Sequence, residues 1–289
     1  MMIAVKLVGG LGNQLFQYAF GRTLAVRLRM PLRLVPGRDP NPHGRFELDR
    51  FRIEASVAGR LERSLLWEPL ERVVEPVARR LRLPQRSSWL RIVRQEGFRF
   101  DPALLQTRGP AYLIGYWQSE RYFEEAADSL RRELHLRGPL DDDAARQLKV
   151  IEGAPSVAVH VRRGDYILDP STAAAYGICA PSYYEAARAL LAERVGPLRF
   201  FFFSDDIDWT RRAFSHWSEA EFVSAPGGDR CQEFELMRSC RHFITANSTF
   251  SWWAAWLGSS LDKVVIAPAK WAAAAENVID LVPSSWSRI

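Results

Sequence analysis

Two arginines stand side by side in the segment VAVHVRRGDY, residues 157–166. A guanidinium stays charged at any working pH and offers a planar fork that matches phosphate oxygens. Arg162 and Arg163 could therefore form an anion site, with His160 and Asp165 beside them. Val157, Val159 and Val161 alternate ahead of them, the pattern of a buried strand. The doublet thus falls at a strand end, where α/β sheets hold their ligands. Taken alone, it is equally explained by pairing with Asp165 and solvent.

Other segments repeat the theme of polar groups at strand ends. Gly9-Gly10-Leu11-Gly12-Asn13-Gln14 lies between a first strand and its helix. Glycines there let backbone approach a ligand, and a helix start attracts anions. Leu15 stands where GxGxxG needs its third glycine, and no Lys-Ser/Thr follows, so neither dinucleotide nor Walker chemistry is indicated. In FFFSDDIDWT, residues 201–210, Ser204, Asp205 and Asp206 follow an apolar strand. Adjacent carboxylates suit ribose hydroxyls or purine N–H groups. Helix capping explains them too, and Asp206-Ile207-Asp208 also spells the DxD of some metal-using sugar transferases. Asn247, Ser248 and Thr249 precede the helix FSWWAAWL and could cradle a phosphate or simply cap. Glu233 could accept two N–H bonds from a guanine edge or be an exposed helix carboxylate. Trp252, Trp253 and Trp256 read as packing.

The elements that must position these groups follow from hydrophobic periodicity. Strands are expected at 3–8, 32–35, 111–114, 156–161, 199–203, 220–223, 242–245 and 263–267. Helices are expected at 13–29, 119–136, 141–152, 181–194, 207–215, 230–240 and 249–258. Residues 57–83 carry a helical pattern broken by Pro69 and Pro76, and 36–50 read as a loop. Strand-helix alternation argues for parallel sheets. A boundary near Gly153–Pro155 would separate two α/β halves: 1–153, then 154–270, with 271–289 packing back on the first.

The 289 residues suffice for two medium domains. The net charge of +5 is spread over many arginines and fits an acidic ligand or a peripheral contact with an anionic membrane. No basic arm supports nucleic-acid binding. Three cysteines without a CxxC pair suggest reduced thiols in a cytoplasmic protein. No export segment and no membrane-spanning run are visible.

GGLGNQLFQYAFGR, GYWQSERYF, HVRRGDY, FFFSDDIDW and ANSTFSWWAAWL, in that order, closely resemble the glycosyltransferase family 11 α-1,2-fucosyltransferases of bacteria. The resemblance runs from Val5 to Trp286. It implies a GT-B architecture, two Rossmann-like domains facing across a cleft. It implies inverting transfer from GDP-β-L-fucose to the 2-hydroxyl of a terminal β-galactoside, with no metal or other cofactor required. Carried onto this sequence, Arg162 and Arg163 would hold the diphosphate, with His160 and Asp165 lining that pocket. Gly12 and Asn13 would lie near the phosphates or the fucose. Asn247, Ser248, Thr249 and Phe250 would meet the phosphates and base. Ser204, Asp205, Asp206 and Glu233 would read ribose and guanine, Glu233 standing where relatives often have Asp. Gln14, Tyr116, Trp117, Gln118 and Tyr176 are the acceptor-side candidates, and Tyr176 stands where many relatives have His. Asp165 could be the general base or a brace for an arginine. A different linkage or acceptor, or a GDP- or glycan-binding module without catalysis, are the competing readings.

Overall fold

The computed structural model describes residues 1–37, 44–74, 91–164, 167, 173–174, 177–223, 228–272 and 280–289. It divides into two compact units, Met1–His135 and Leu136–Ile289. The division falls upstream of the Gly153–Pro155 boundary expected from sequence. The reason is a reciprocal clasp. Asp141, at the start of helix Asp142–Glu152, donates its N–H to Gln232 Oε1 and accepts from Gln232 Nε2, both at 2.9 Å. That helix therefore belongs to the second unit.

The first unit holds a parallel sheet ordered β3-β2-β1-β5-β4. Its strands are β1 (Ile3–Leu7), β2 (Leu32–Pro36), β3 (Ser56–Val57), β4 (Arg91–Arg94) and β5 (Ala111–Ile114). β4 was not expected, because only Ile92 and Val93 are apolar in it. Helix α1 (Leu11–Leu28) follows β1 and is buried on most of its circumference. The expected helix 119–136 is instead two 3₁₀ turns, Glu120–Tyr122 and Glu124–Ala126, leading into α2 (Ala127–Glu133). β2 and β5 flank β1, so the chain's direction of winding reverses between β1 and β5.

The second unit holds a parallel sheet ordered β11-β10-β9-β6-β7-β8. The strands are β6 (Ser156–Val161), β7 (Arg199–Ser204), β8 (Ala220–Phe222), β9 (His242–Ile244), β10 (Val265–Ala267) and β11 (Ser287–Arg288). With Asp142–Glu152 as α3, its helices are α4 (Pro181–Val195), α5 (Ile207–Ala213), α6 (Arg230–Arg238) and α7 (Thr249–Leu257). Every residue of β6 is buried. Valines of β6 pack with Phe200, Phe202, Phe214 and Trp217 in one apolar core. Burying one such side chain contributes about 1.5–3 kcal/mol. The three α7 tryptophans are buried, as their spacing suggested.

The terminal segment corrects one expectation. β11 pairs with β10 at the edge of the second unit's own sheet. Trp286 packs against Trp252, whose indole N–H donates to Leu281 O at 2.8 Å. These contacts hold 280–289 to the second unit. Among the described residues, no helix is long and apolar enough to cross a membrane.

Candidate active site

Winding in the second sheet reverses between β6 and β9, the switch point where open α/β sheets bind ligands. The ends of β7, β6 and β9 lie side by side there, with Val161 in register with Ser204. Asp205 reaches across from β7 and organises the turn after β6. Its carboxylate accepts the backbone N–H of Arg163 at 2.8 Å and of Gly164 at 3.0 Å. It also pairs with Arg162 Nη1 at 3.0 Å, where the two side chains are only 15% and 19% exposed. Gly164 is required for this approach, since a Cβ there would come within 2.7 Å of Asp205 Oδ2.

The two arginines have different surroundings, as neighbours at a strand end should. Arg162 shares its side with His160, two residues earlier, and its charge is felt by both His160 and Glu233. The Arg163 guanidinium lies over the Trp209 ring, its carbon 3.5 Å from the centroid, and donates Nε–H to Asp206 at 3.3 Å. Such a cation–π contact contributes about 0.5–2 kcal/mol. Asp206 also caps α5 by accepting from Trp209 N at 3.2 Å. Ser204 Oγ accepts the N–H of Asp206 at 3.0 Å.

Arg162, Asp205, Glu233 and Arg230 form one electrostatic cluster around His160. Burial pushes the Glu233 carboxyl up to about 7; Arg230 pulls it down, Asp205 adds to the rise, and Arg162 lowers it. Burial pushes the His160 imidazole down to about 3, with Asp205 opposing and both arginines assisting. His160 is therefore neutral at working pH. Its Nδ1 is buried without a hydrogen-bond partner among the described residues. Its carbonyl is fixed by the Tyr184 hydroxyl at 3.1 Å. Phe250 closes one side, its ring 5.8 Å from His160 and 5.3 Å from Phe234.

The β9 end is braced differently. Asn247 donates Nδ2–H to Gly177 O at 3.2 Å and Trp271 O at 3.3 Å, and its Oδ1 receives the Cys179 thiol at 3.6 Å. Ser248 caps α7 through Phe250 N at 3.4 Å, and Thr249 is the first helical residue. Asp165 and Tyr176 lie outside the described residues.

In the first unit, the amides bond to the protein itself. Asn13 Oδ1 accepts from Gln118 Nε2 at 2.8 Å. Gly9, at φ +75°, leaves room for the Asn13 amide, which a Cβ would meet at 2.5 Å. Gln14 donates to Gly9 O at 2.9 Å and Arg45 O at 2.8 Å, and accepts from Glu47 N at 3.2 Å. Gly12 is buried in the first turn of α1, which has a glycine N-cap and no side-chain cap. Trp117 is buried against Phe20 at 4.9 Å, and Tyr116 stacks on Phe98 at 5.9 Å. Gln95 Oε1 accepts the N–H groups of both Tyr116 and Trp117.

Four residues escaped the sequence reading. Trp209 had a signal in its place three residues after Asp206. Arg230 had another: a cation in the first turn of a helix opposes the macrodipole and calls for an anion nearby. Gly164 and Gln17 carried none. Gln17 accepts from Val8 N at 3.0 Å and donates to Gly115 O at 3.2 Å, locking the ends of β1 and β5 together.

The chain resembles known glycosyltransferases over nearly its whole length. The chain is 34% identical over its whole length to an alpha-1,2-colitosyltransferase of Escherichia coli, covering 99% of that protein. It is 29% identical over 97% of its length to the O-antigen biosynthesis glycosyltransferase WbnK of Escherichia coli, covering 98% of it. Among solved structures, a mutant of Arabidopsis thaliana FUT1 in complex with GDP superimposes with a TM-score of 0.52 at 11% identity, over 99% of this chain and 76% of that one. That likeness places the fold in the GT-B class. The model of Glycosyl transferase family 11 matches residues 91–284. A braced arginine pair at the switch point, a full-length relative and a family match over most of the chain converge: this protein belongs to glycosyltransferase family 11, and its activity is glycosyl transfer.

Proposed function

We propose that the chain transfers L-fucose from GDP-β-L-fucose to the 2-hydroxyl of a terminal β-galactoside, with inversion and without a required metal. The observation that carries this reading is the Arg162–Asp205 pair at the β6/β9 switch point, with Glu233 and neutral His160 beside it. Guanine presents two adjacent N–H groups on one edge, which a carboxylate can accept together. Glu233 takes that edge, and neutral His160 lines the pocket beside it. Arg162 faces the β-phosphate. As the glycosidic bond breaks, charge grows on that phosphate, and a positioned cation stabilises it by about 2–4 kcal/mol. Asp205 holds Arg162 ready, so no reorganisation is needed at that moment.

The galactose 2-hydroxyl attacks the anomeric carbon opposite the departing GDP, and its proton must leave. Asp205 already serves as the arginine brace, which favours Asp165 as the acceptor of that proton. The DxD carboxylate Asp206 is engaged with Arg163 and the α5 N-cap, which favours cations from the protein over a metal.

A second donor deserves testing because of the colitosyltransferase relative. Colitose is fucose without its 3-hydroxyl. The deciding assay supplies GDP-fucose or GDP-colitose with β-galactosides in excess EDTA, followed by linkage analysis. An α-1,2-fucosyl product is expected. Preference for GDP-colitose would replace the donor, and reversible loss in EDTA would restore a metal.

A further inference from the structure

We infer that a cavity in the first unit, at the carboxyl ends of β1, β2, β4 and β5, binds an anionic group carried by the acceptor. This rests on the glycosyl-transfer reading and deepens it by naming the acceptor class. The cavity is about 380 Å³, of a size for a sugar and one charged substituent. Lys6, Arg63, Arg72 and Arg94 line it, against two carboxylates, Glu68 and Glu71.

Glu71 does not offer its charge to the cavity. One of its oxygens pairs with Lys6 Nζ and the other takes the Tyr112 hydroxyl. Arg63 is differently placed. Its Nη1 donates to Pro36 O at 2.9 Å, while its Nε is buried without a hydrogen-bond partner among the described residues. A buried N–H of a cation left unmet is costly. Arg63 lines the cavity, and with Lys6, Arg72 and Arg94 it gives the lining more cations than Glu68 and Glu71 balance, a lining that suits an anion. Trp67, buried against Tyr112 at 4.7 Å, supplies a rigid wall behind the site.

A phosphate that links the acceptor sugar to its carrier and a carboxylate of an acidic sugar share this chemistry. A calorimetric titration in saturating GDP, which occupies the nucleotide site, separates them. The probes are β-galactosyl phosphate, a β-galactosyl glucuronic acid and methyl β-galactoside. At least one anionic probe should bind about tenfold more tightly than the neutral one. The tighter of the two anions identifies the source. Arg63→Gln should abolish that advantage and leave methyl β-galactoside binding unchanged; Arg72→Gln, at an exposed position, should reduce it. Equal binding of neutral and anionic probes by the unsubstituted protein overturns the inference. So does an anionic advantage that survives Arg63→Gln in a protein with an unaltered melting curve. Tight anionic binding without any fucosyl transfer would support this site while refuting the donor proposed above.

Discussion

The turn after β1 and the turn after β6 are both braced by polar side chains, but the two turns use opposite chemistries. In the first unit Gln14 and Gln17 spend neutral amides on Gly9, Arg45, Glu47, Val8 and Gly115. In the second unit charges face charges, with Asp205 against Arg162 and Asp206 against Arg163. An amide satisfies backbone without creating a field, so it suits a scaffold. A guanidinium is a fixed cation with a fork of donors, so it suits a charged ligand. The contrast separates residues that shape a loop from residues proposed to meet a substrate.

The strongest way to break that contrast is Arg162→Ala. Transfer should fall by roughly 30- to 1000-fold, and Arg162→Lys should not restore it. Steady-state rates near those of the unsubstituted protein would move the leaving-group role elsewhere. A medium-sized effect sharpens the electrostatic half. If guanine binds ionised Glu233, whose carboxyl is raised to about 7, binding below that pH must first expel a proton. GDP affinity should therefore tighten about tenfold from pH 6 to pH 8. In Glu233→Gln that component should vanish, leaving only the titration of the phosphate itself. A pH-independent difference between the two proteins would count against the guanine contact. For folding the sign is reversed. A raised carboxyl stabilises the fold most at low pH, and that contribution fades as pH rises from about 4.5 through 7. The smallest effect on chemistry should come from Gln14→Leu. It strands three backbone groups and should cost about 1–3 kcal/mol of stability, read as a lower melting temperature. The ratio of kcat/KM between two donors should not move; a changed ratio would make Gln14 a substrate contact.

Much of this molecule was legible in its sequence, unevenly. The second half alternates strand and helix with clear periods, and every strand expected there forms. The stretch from 57 to 95 mixes charges and leucines and hides β4 behind Arg91 and Arg94. At the site, the arginine doublet was visible because adjacent cations at a strand end are conspicuous. The bracing role of Asp205 was not, because it depends on the β6–β7 register and on a glycine with room beside it. Asp205 was expected on ribose or guanine, and the structure shows both of its oxygens engaged with the arginine turn.

The Asp205 clasp also bears on how the protein matures. It joins segments 42 residues apart, so the proposed anion pocket has no local precursor in the emerging chain. The Asp205–Arg162 pair can form only when β7 has docked on β6. A nucleotide that binds this pocket thus selects the completed sheet. At a hundred times its dissociation constant it would add about 2.7 kcal/mol to the folded state. The cellular donor pool would then act as a folding ligand for this enzyme, and its abundance would set how much active protein survives quality control.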